Sequence, residues 1–119
     1  MAKLLIVDDD PVIRTLLSDY LSVQGHEVDL ADTARLGIER LEGQAYDVLL
    51  LDFQMPEANG IEVLQQINAK VLNAHLKIVM FSGNNDTKKL VEAAGLSADV
   101  YLTKPFELHD LSEEINKLI

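Results

Sequence analysis

The sequence predicts an α/β protein built on a five-stranded parallel sheet with helices on both faces. Three observations carry that expectation. Short apolar runs alternate five times with segments of helical period. The runs Leu4-Leu5-Ile6-Val7 and Val48-Leu49-Leu50-Leu51 are apolar throughout, as strands covered on both faces are. Finally, charged residues stand just past the ends of three runs: Asp8, Asp9 and Asp10 after the first, Asp52 after the third, and Lys104, beyond Thr103, after Val100-Tyr101-Leu102. In such sheets, ligands bind at the carboxyl ends of the strands, near the point where strand order reverses.

The strands are expected at 3–7, 27–31, 47–51, 77–81 and 100–102. The first helix carries Ile13, Leu16, Leu17, Tyr20 and Leu21, the spacing of one inward stripe. Asp10 is placed to cap it, Pro11 occupies its first position and Gly25 lies just past its end. The second helix is expected from about Thr33 to Glu42, with Asp32 as cap, Ile38 and Leu41 inward and Gly37 inside it. The third follows Gly60 and presents Ile61, Leu64, Ile67 and Val71. The fourth, around 87–94, has the weakest stripe (Leu90, Val91 and Ala94), and the fifth presents Leu108, Leu111, Ile115 and Leu118.

The 119 residues suit one domain, 1–119, with no repeat, low-complexity stretch or linker to divide it. Hydrophobic residues make up 48% and charged residues 25%, the balance of a globular protein. The net charge of −10 argues against direct binding to nucleic acid or to an anionic membrane, both of which need a basic surface. The absence of cysteine excludes disulfides and thiolate chemistry. The first apolar run is too short for a signal sequence or membrane span, so a cytoplasmic location is expected, and the glycosylation pattern Asn85-Asp86-Thr87 carries little weight. His26, His75 and His109 are scattered without metal-ligand spacing and read as surface or packing residues.

Acids at neighbouring strand ends pose an electrostatic problem. Two carboxylates about 5 Å apart repel by roughly 3 kcal/mol at an effective dielectric near 20. Such a cluster either holds protons or binds a hard cation, and oxygen ligands without His or Cys favour Mg²⁺ over zinc or copper. Mg²⁺ held by a few carboxylates keeps room for a phosphoryl oxygen. Taken singly, each residue has a plainer explanation: Asp10 a helix cap, Asp52 a turn residue before Met55-Pro56, Ser82 a turn hydroxyl before Gly83, Lys104 a surface lysine. Their joint placement at successive strand ends disfavours that set of explanations.

The segments LLIVDDDPVIR, DVLLLDFQMPEANG, VMFSG and VYLTKPF resemble, in the same order, those of the receiver domain of two-component response regulators. The likeness spans nearly the whole chain. It implies a flavodoxin-like (βα)5 fold, a doubly wound five-stranded parallel sheet of order 2-1-3-4-5. It also implies roles: Asp52 as phosphoacceptor for a phosphoryl group delivered from a phosphohistidine, and Asp9 directly and Asp8 through water as holders of Mg²⁺ (or Mn²⁺), together with Asp52 and the backbone carbonyl of Gln54. Lys104 and Ser82 would contact the phosphoryl oxygens, and Ser82 with Tyr101 would form the switch. A cis bond before Pro105, which costs an X–Pro pair only about 0.5–1 kcal/mol, would aim the lysine. Gln54 and Asn84 match positions that tune the phosphoryl lifetime.

The likeness has departures. Ser97-Ala98-Asp99-Val100-Tyr101 replaces the usual Gly-Ala-Asp-Asp/Glu-Tyr, and the stretch 72–76 lengthens the approach to the fourth strand. An aspartyl phosphatase would want an acid where Gln54 stands, and a nucleotide binder would want a Gly-rich loop where the three acids stand. A non-phosphorylated pseudo-receiver acting as an interaction module is the remaining alternative, although such proteins usually lose one of the residues retained here. The expected partners are a sensor histidine kinase or histidine phosphotransfer protein and an unidentified downstream target reached through the fourth helix, fifth strand and fifth helix. The protein would act as a monomer or a phosphorylation-dependent homodimer. It would be a signalling switch that catalyses its own phosphorylation and dephosphorylation rather than a turnover enzyme. The chain reaches Ile119 as the last helix ends, which fits a stand-alone relay protein or a piece of a longer regulator equally well.

Overall fold

The computed structural model describes residues 2–70, 72 and 75–119. In chain order the elements are β1 (Lys3–Val7), α1 (Pro11–Val23), β2 (Glu27–Ala31), α2 (Ala34–Gly43), β3 (Val48–Asp52), α3 (Gly60–Lys70), β4 (Lys77–Ser82), α4 (Thr87–Ala93), β5 (Val100–Thr103) and α5 (Leu108–Leu118). The strands form one parallel sheet in the order β2-β1-β3-β4-β5. The alternation read from the sequence and the order implied by the family resemblance are both found.

Strand periodicity divides the apolar runs between two cores. Leu5, Val7, Leu49, Leu51, Ile78 and Met80 face α2, α3 and α4, where Ile38, Leu41, Val63, Leu64, Ile67 and Val91 cover them. Leu4, Ile6, Val48, Leu50, Val79 and Phe81 face the other way, onto Leu17 and Leu21 of α1 and Leu111 and Ile115 of α5. Every residue of β3 is buried, which is why its sequence shows no polar alternation. The chain reverses its direction of travel across the sheet between β1 and β3, so a crevice opens beyond Val7 and Asp52.

Helix ends follow local chemistry. The Asp10 side chain accepts from the Val12 amide at 2.9 Å and caps α1, with Pro11 at the first position. Gly25, at φ 95°, closes the same helix: its amide bonds Ser22 O and the next amide, His26, bonds Leu21 O. The same motif ends α4, where Gly95 at φ 77° bonds Glu92 O and Leu96 bonds Val91 O. That closure stops α4 at Ala93, one residue before the expected end.

Some expectations need correction. The cap of α2 is Thr33, whose hydroxyl accepts from the Leu36 amide at 3.1 Å, so the helix starts at Ala34 and Asp32 stays exposed. β3 begins and ends one residue later than expected, while β4 and β5 each extend by one residue, to Ser82 and Thr103, because parallel pairing continues to Asp52↔Phe81 and Ser82↔Thr103. Leu16 is 48% exposed and Leu90 46% exposed, so neither belongs to an inward stripe. On α4 the buried pair is Thr87 and Val91, one turn apart. Val71, expected on the third helix, and positions 73 and 74 in the stretch before β4 lie outside the described residues. Among the described residues, no helix is long and apolar enough to cross a membrane.

Candidate functional site

The carboxyl ends of β1, β3 and β5 deliver the charged residues to one place. Asp8 follows the last residue of β1 and is fully buried, Asp9 beside it is exposed, and Asp52 ends β3 with 5% exposure. One carboxylate oxygen from each lies within 4.8 Å of the others. Lys104, one residue past β5, places its Nζ 3.5 Å from Asp8 Oδ2 and 3.5 Å from Asp52 Oδ1. The same ammonium stands 5.1 Å from the centroid of the Phe81 ring, a cation–π distance. The Lys104 amide donates to Ser82 O at 2.7 Å, tying the lysine's backbone to the end of β4, and the Lys104–Pro105 bond is cis.

Each acid is held differently. Asp8 Oδ1 accepts from the Asp10 amide at 2.9 Å, whereas Asp8 Oδ2, buried, accepts no hydrogen bond and lies 3.5 Å from Lys104 Nζ. Asp52 Oδ1 accepts a long bond of 3.3 Å from the Gln54 amide. Burial pushes the Asp52 carboxyl from its ordinary 3.8 up to about 6, and repulsion from Asp8 adds to the rise. Lys104 and the Gln54 amide pull it down, and Asp9 pushes it up a little further. Lys104 pairs with Asp8 and Asp52 but not with Asp9, so three clustered carboxylates face one ammonium and the cluster carries excess negative charge.

This donor set fits a hard divalent cation. All the side-chain donors are oxygens, they converge, and one buried carboxylate oxygen lacks a hydrogen-bond donor. Gln54, exposed in the turn after β3, brings its backbone to the same edge, where it pairs with Asn59 in an isolated bridge.

Ser82 ends β4 with its side chain buried, and its Oγ accepts from the Asn84 amide at 3.0 Å. The loop that follows is braced by the Asn84 side chain, which accepts from the Asp86 amide, and by the Thr87 hydroxyl, which donates to Asn84 O. Tyr101 is half-buried on β5 and packs against the core beneath α4, and its Oη accepts from the Ala98 amide at 2.9 Å. Asp10 lies outside the acidic cluster as the cap of α1, and none of the three histidines joins it.

Arg14 escaped the sequence reading. From the first turns of α1 its Nη1 donates to the backbone carbonyl of Asp8 at 2.8 Å. A basic residue a short helical step beyond an acid-rich loop was the available signal. An apolar groove lined by Ile13, Leu16, Leu17, Pro105, Phe106 and Leu108 runs from Lys104 along α1.

A model of the response regulator receiver domain matches residues 4–116. The chain is 35% identical, over 119 residues, to the transcriptional regulatory protein CpxR homolog of Haemophilus influenzae, covering 100% of this chain and 51% of that protein. It is 29% identical to the response regulator ArlR of Staphylococcus saprophyticus, covering 100% and 53%. The chain thus spans about half the length of the curated relatives it matches. Among solved structures, the response regulator protein TrrA from Thermotoga maritima, in complex with Mg(2+)-BeF, superposes with a TM-score of 0.87 at 31% identity and full coverage of both chains. A CheY-like receiver domain protein from Methanospirillum hungatei superposes with a TM-score of 0.87 at 30% identity, covering 98% of this chain and 92% of that one.

Proposed function

The chain belongs to the response regulator receiver domain family, and on that premise we propose that it is a phosphoacceptor switch of a two-component phosphorelay, with Asp52 as the residue phosphorylated. One observation carries the reading: Asp8, Asp9 and Asp52 converge at a sheet edge opposite a single ammonium, Lys104. The site is too acidic to attract a phosphoryl group unaided and suited to one that arrives with a cation.

Asp8, Asp9, Asp52 and the backbone carbonyl of Gln54 would hold Mg²⁺, and Mn²⁺ suits the same oxygens. When bound, the ion supplies neutralisation of charge on the phosphoryl oxygens. The ionised Asp52 carboxylate attacks the phosphorus of a phosphohistidine. An O–P bond forms, the P–N bond breaks, and the imidazole nitrogen keeps the electron pair and takes a proton. Lys104 exchanges its pairing with Asp52 for pairing with a phosphoryl oxygen, so its charge remains partnered through the transfer. Ser82, whose Oγ already accepts from Asn84, has its own proton to donate to another phosphoryl oxygen. In hydrolysis, water attacks the phosphorus, and Asp52 leaves as the carboxylate.

The donor is a sensor histidine kinase or histidine phosphotransfer protein, and the apolar groove beside Lys104 offers such a partner a surface next to the acceptor. Displacement of Ser82 and Tyr101 on phosphorylation would alter the α4-β5-α5 face that a downstream target or a second copy reads.

Incubation with Mg²⁺ and acetyl phosphate, followed by intact mass measurement, tests the proposal. The expected result is the gain of one phosphoryl group, abolished by EDTA and by Asp52→Asn. No gain from acetyl phosphate or from a phosphohistidine protein would reduce the chain to an interaction module.

A further inference from the structure

We propose that Arg14 is a positioning residue for Asp8, and that through Asp8 it sets the affinity of the acidic cluster for a divalent cation. The inference rests on the reading of Asp8, Asp9 and Asp52 as a cation site. The Arg14 guanidinium binds the backbone carbonyl of Asp8 at 2.8 Å rather than the carboxylate of the same residue.

That bond completes the restraint of Asp8. The Asp8 amide donates to Ala31 O at 3.2 Å, which fixes the residue to the end of β2. Its Oδ1 accepts from the Asp10 amide at 2.9 Å, and its carbonyl is held by Arg14. With amide, carbonyl and one carboxylate oxygen all engaged, the remaining oxygen, Oδ2, is buried without a hydrogen bond and directed at Lys104. Arg14 is itself anchored, since its amide bonds Asp10 O at 3.0 Å in the first turn of α1. The guanidinium therefore links α1 to the loop that carries Asp8 and Asp9. Groups that orient metal ligands in this way typically govern about 10–100-fold in metal affinity.

Charge and positioning predict opposite signs. A guanidinium near a cation site repels the cation, so loss of its charge alone would tighten binding. Loss of its hold on the Asp8 carbonyl frees a ligand that must then be ordered on binding, which weakens it. The structure favours the second effect, because the donor is spent on the ligand's backbone.

Titration with Mn²⁺ alone, with free ion read by electron paramagnetic resonance, separates the two. Thermal unfolding without metal serves as the folding control. Arg14→Met, which keeps an apolar stem but neither charge nor donor, is expected to bind Mn²⁺ about tenfold more weakly than the wild type. Arg14→Lys, with charge and a shorter donor, is expected to fall between them. Equal or tighter binding by Arg14→Met overturns the inference. Should Arg14→Met not unfold cooperatively, Arg14→Lys decides alone: weaker binding than wild type supports the role of Arg14, and equal binding overturns it. Absence of Mn²⁺ binding by the wild type would instead remove the cation-site reading itself.

Discussion

The Lys104 ammonium lies 3.5 Å from Oδ1 of Asp52, and the same nitrogen lies 3.5 Å from the buried Oδ2 of Asp8. One cation is thus divided between two carboxylates, and neither receives a short, directed hydrogen bond from it. This division explains how Asp52 can sit beside a lysine and still have its carboxyl raised to about 6. Burial and Asp8 together outweigh the single shared charge.

Asp52→Asn is therefore expected to stabilise the metal-free protein at neutral pH. The folded-state value lies above the unfolded one, so the stability associated with this group is fully present below about pH 4. It is lost as pH rises through about 6. The gap from 3.8 to about 6, at about 1.4 kcal/mol per tenfold change in proton affinity, bounds the gain at roughly 3 kcal/mol, reached above pH 7. Urea unfolding of both proteins at pH 4 and pH 7.5 in EDTA checks this. Curves that differ equally at the two pH values would contradict it.

Replacement of Lys104 by Met should move the Asp52 carboxyl further up, because Lys104 is the larger of the two influences that lower it. Carboxyl carbon-13 NMR of Asp52 across pH 4–9 in EDTA measures the midpoint directly. An unchanged or lower midpoint would mean that the two 3.5 Å approaches carry no electrostatic weight. Under the proposed function, a higher midpoint leaves less ionised Asp52 carboxylate at neutral pH, so phosphorylation by acetyl phosphate should slow at pH 7 and partly recover at higher pH.

Much of this site was legible because its residues stand at the ends of apolar runs, and the end of a buried strand in a parallel sheet is a predictable place. Asp8, Asp52, Ser82 and Lys104 are all found at such ends. Strand order was not legible from periodicity, since alternation of runs and helices says nothing about which strands are neighbours; the family resemblance supplied it. The cap of α2 could not be chosen between Asp32 and Thr33 by residue type, because both are good caps and the extended backbone at Thr33 decides. Leu16 and Leu90 read as inward because helical spacing shows one face of a helix but not how much of that face the sheet covers. Arg14 shows in the sequence only as a basic residue beyond an acid-rich loop, because residue types do not reveal that its partner is a backbone carbonyl.

Tyr101→Phe isolates a single hydrogen bond. The phenol oxygen accepts from the Ala98 amide at 2.9 Å, in the connection between α4 and β5. Removal of the oxygen leaves a part-buried N–H without its acceptor, at a cost of about 1 kcal/mol, or a fall of about 4 °C in Tm. Hydrogen exchange at Ala98 should accelerate by roughly fivefold relative to the β5 amides, in line with that energy. Unchanged protection at Ala98 would show that the hydroxyl does not hold this connection.

Two glycines of α2 should respond to alanine with opposite signs. A Cβ at Gly37 would lie 2.8 Å from Val7 Cγ2 and 3.3 Å from Val7 Cγ1. Val7 is buried on β1, beside the sheet's centre, and its β-branched side chain has little rotameric freedom with which to retreat. Overpacking of this kind costs about 1–3 kcal/mol, against which alanine recovers at most about 1 kcal/mol of helix propensity. A net loss of about 1–2 kcal/mol is expected for Gly37→Ala. At Gly43, the last residue of the same helix, nothing lies within 4 Å of the added carbon, and the backbone is not left-handed. Gly43→Ala should therefore stabilise the protein by about 0.5 kcal/mol, through helix propensity and reduced freedom of the unfolded chain. Urea midpoints of the two variants should move apart from the wild type in opposite directions. Stabilisation by both would mean that α2 can lift off Val7 at no cost, and that the close helix–strand approach does not constrain the loop carrying Asp8.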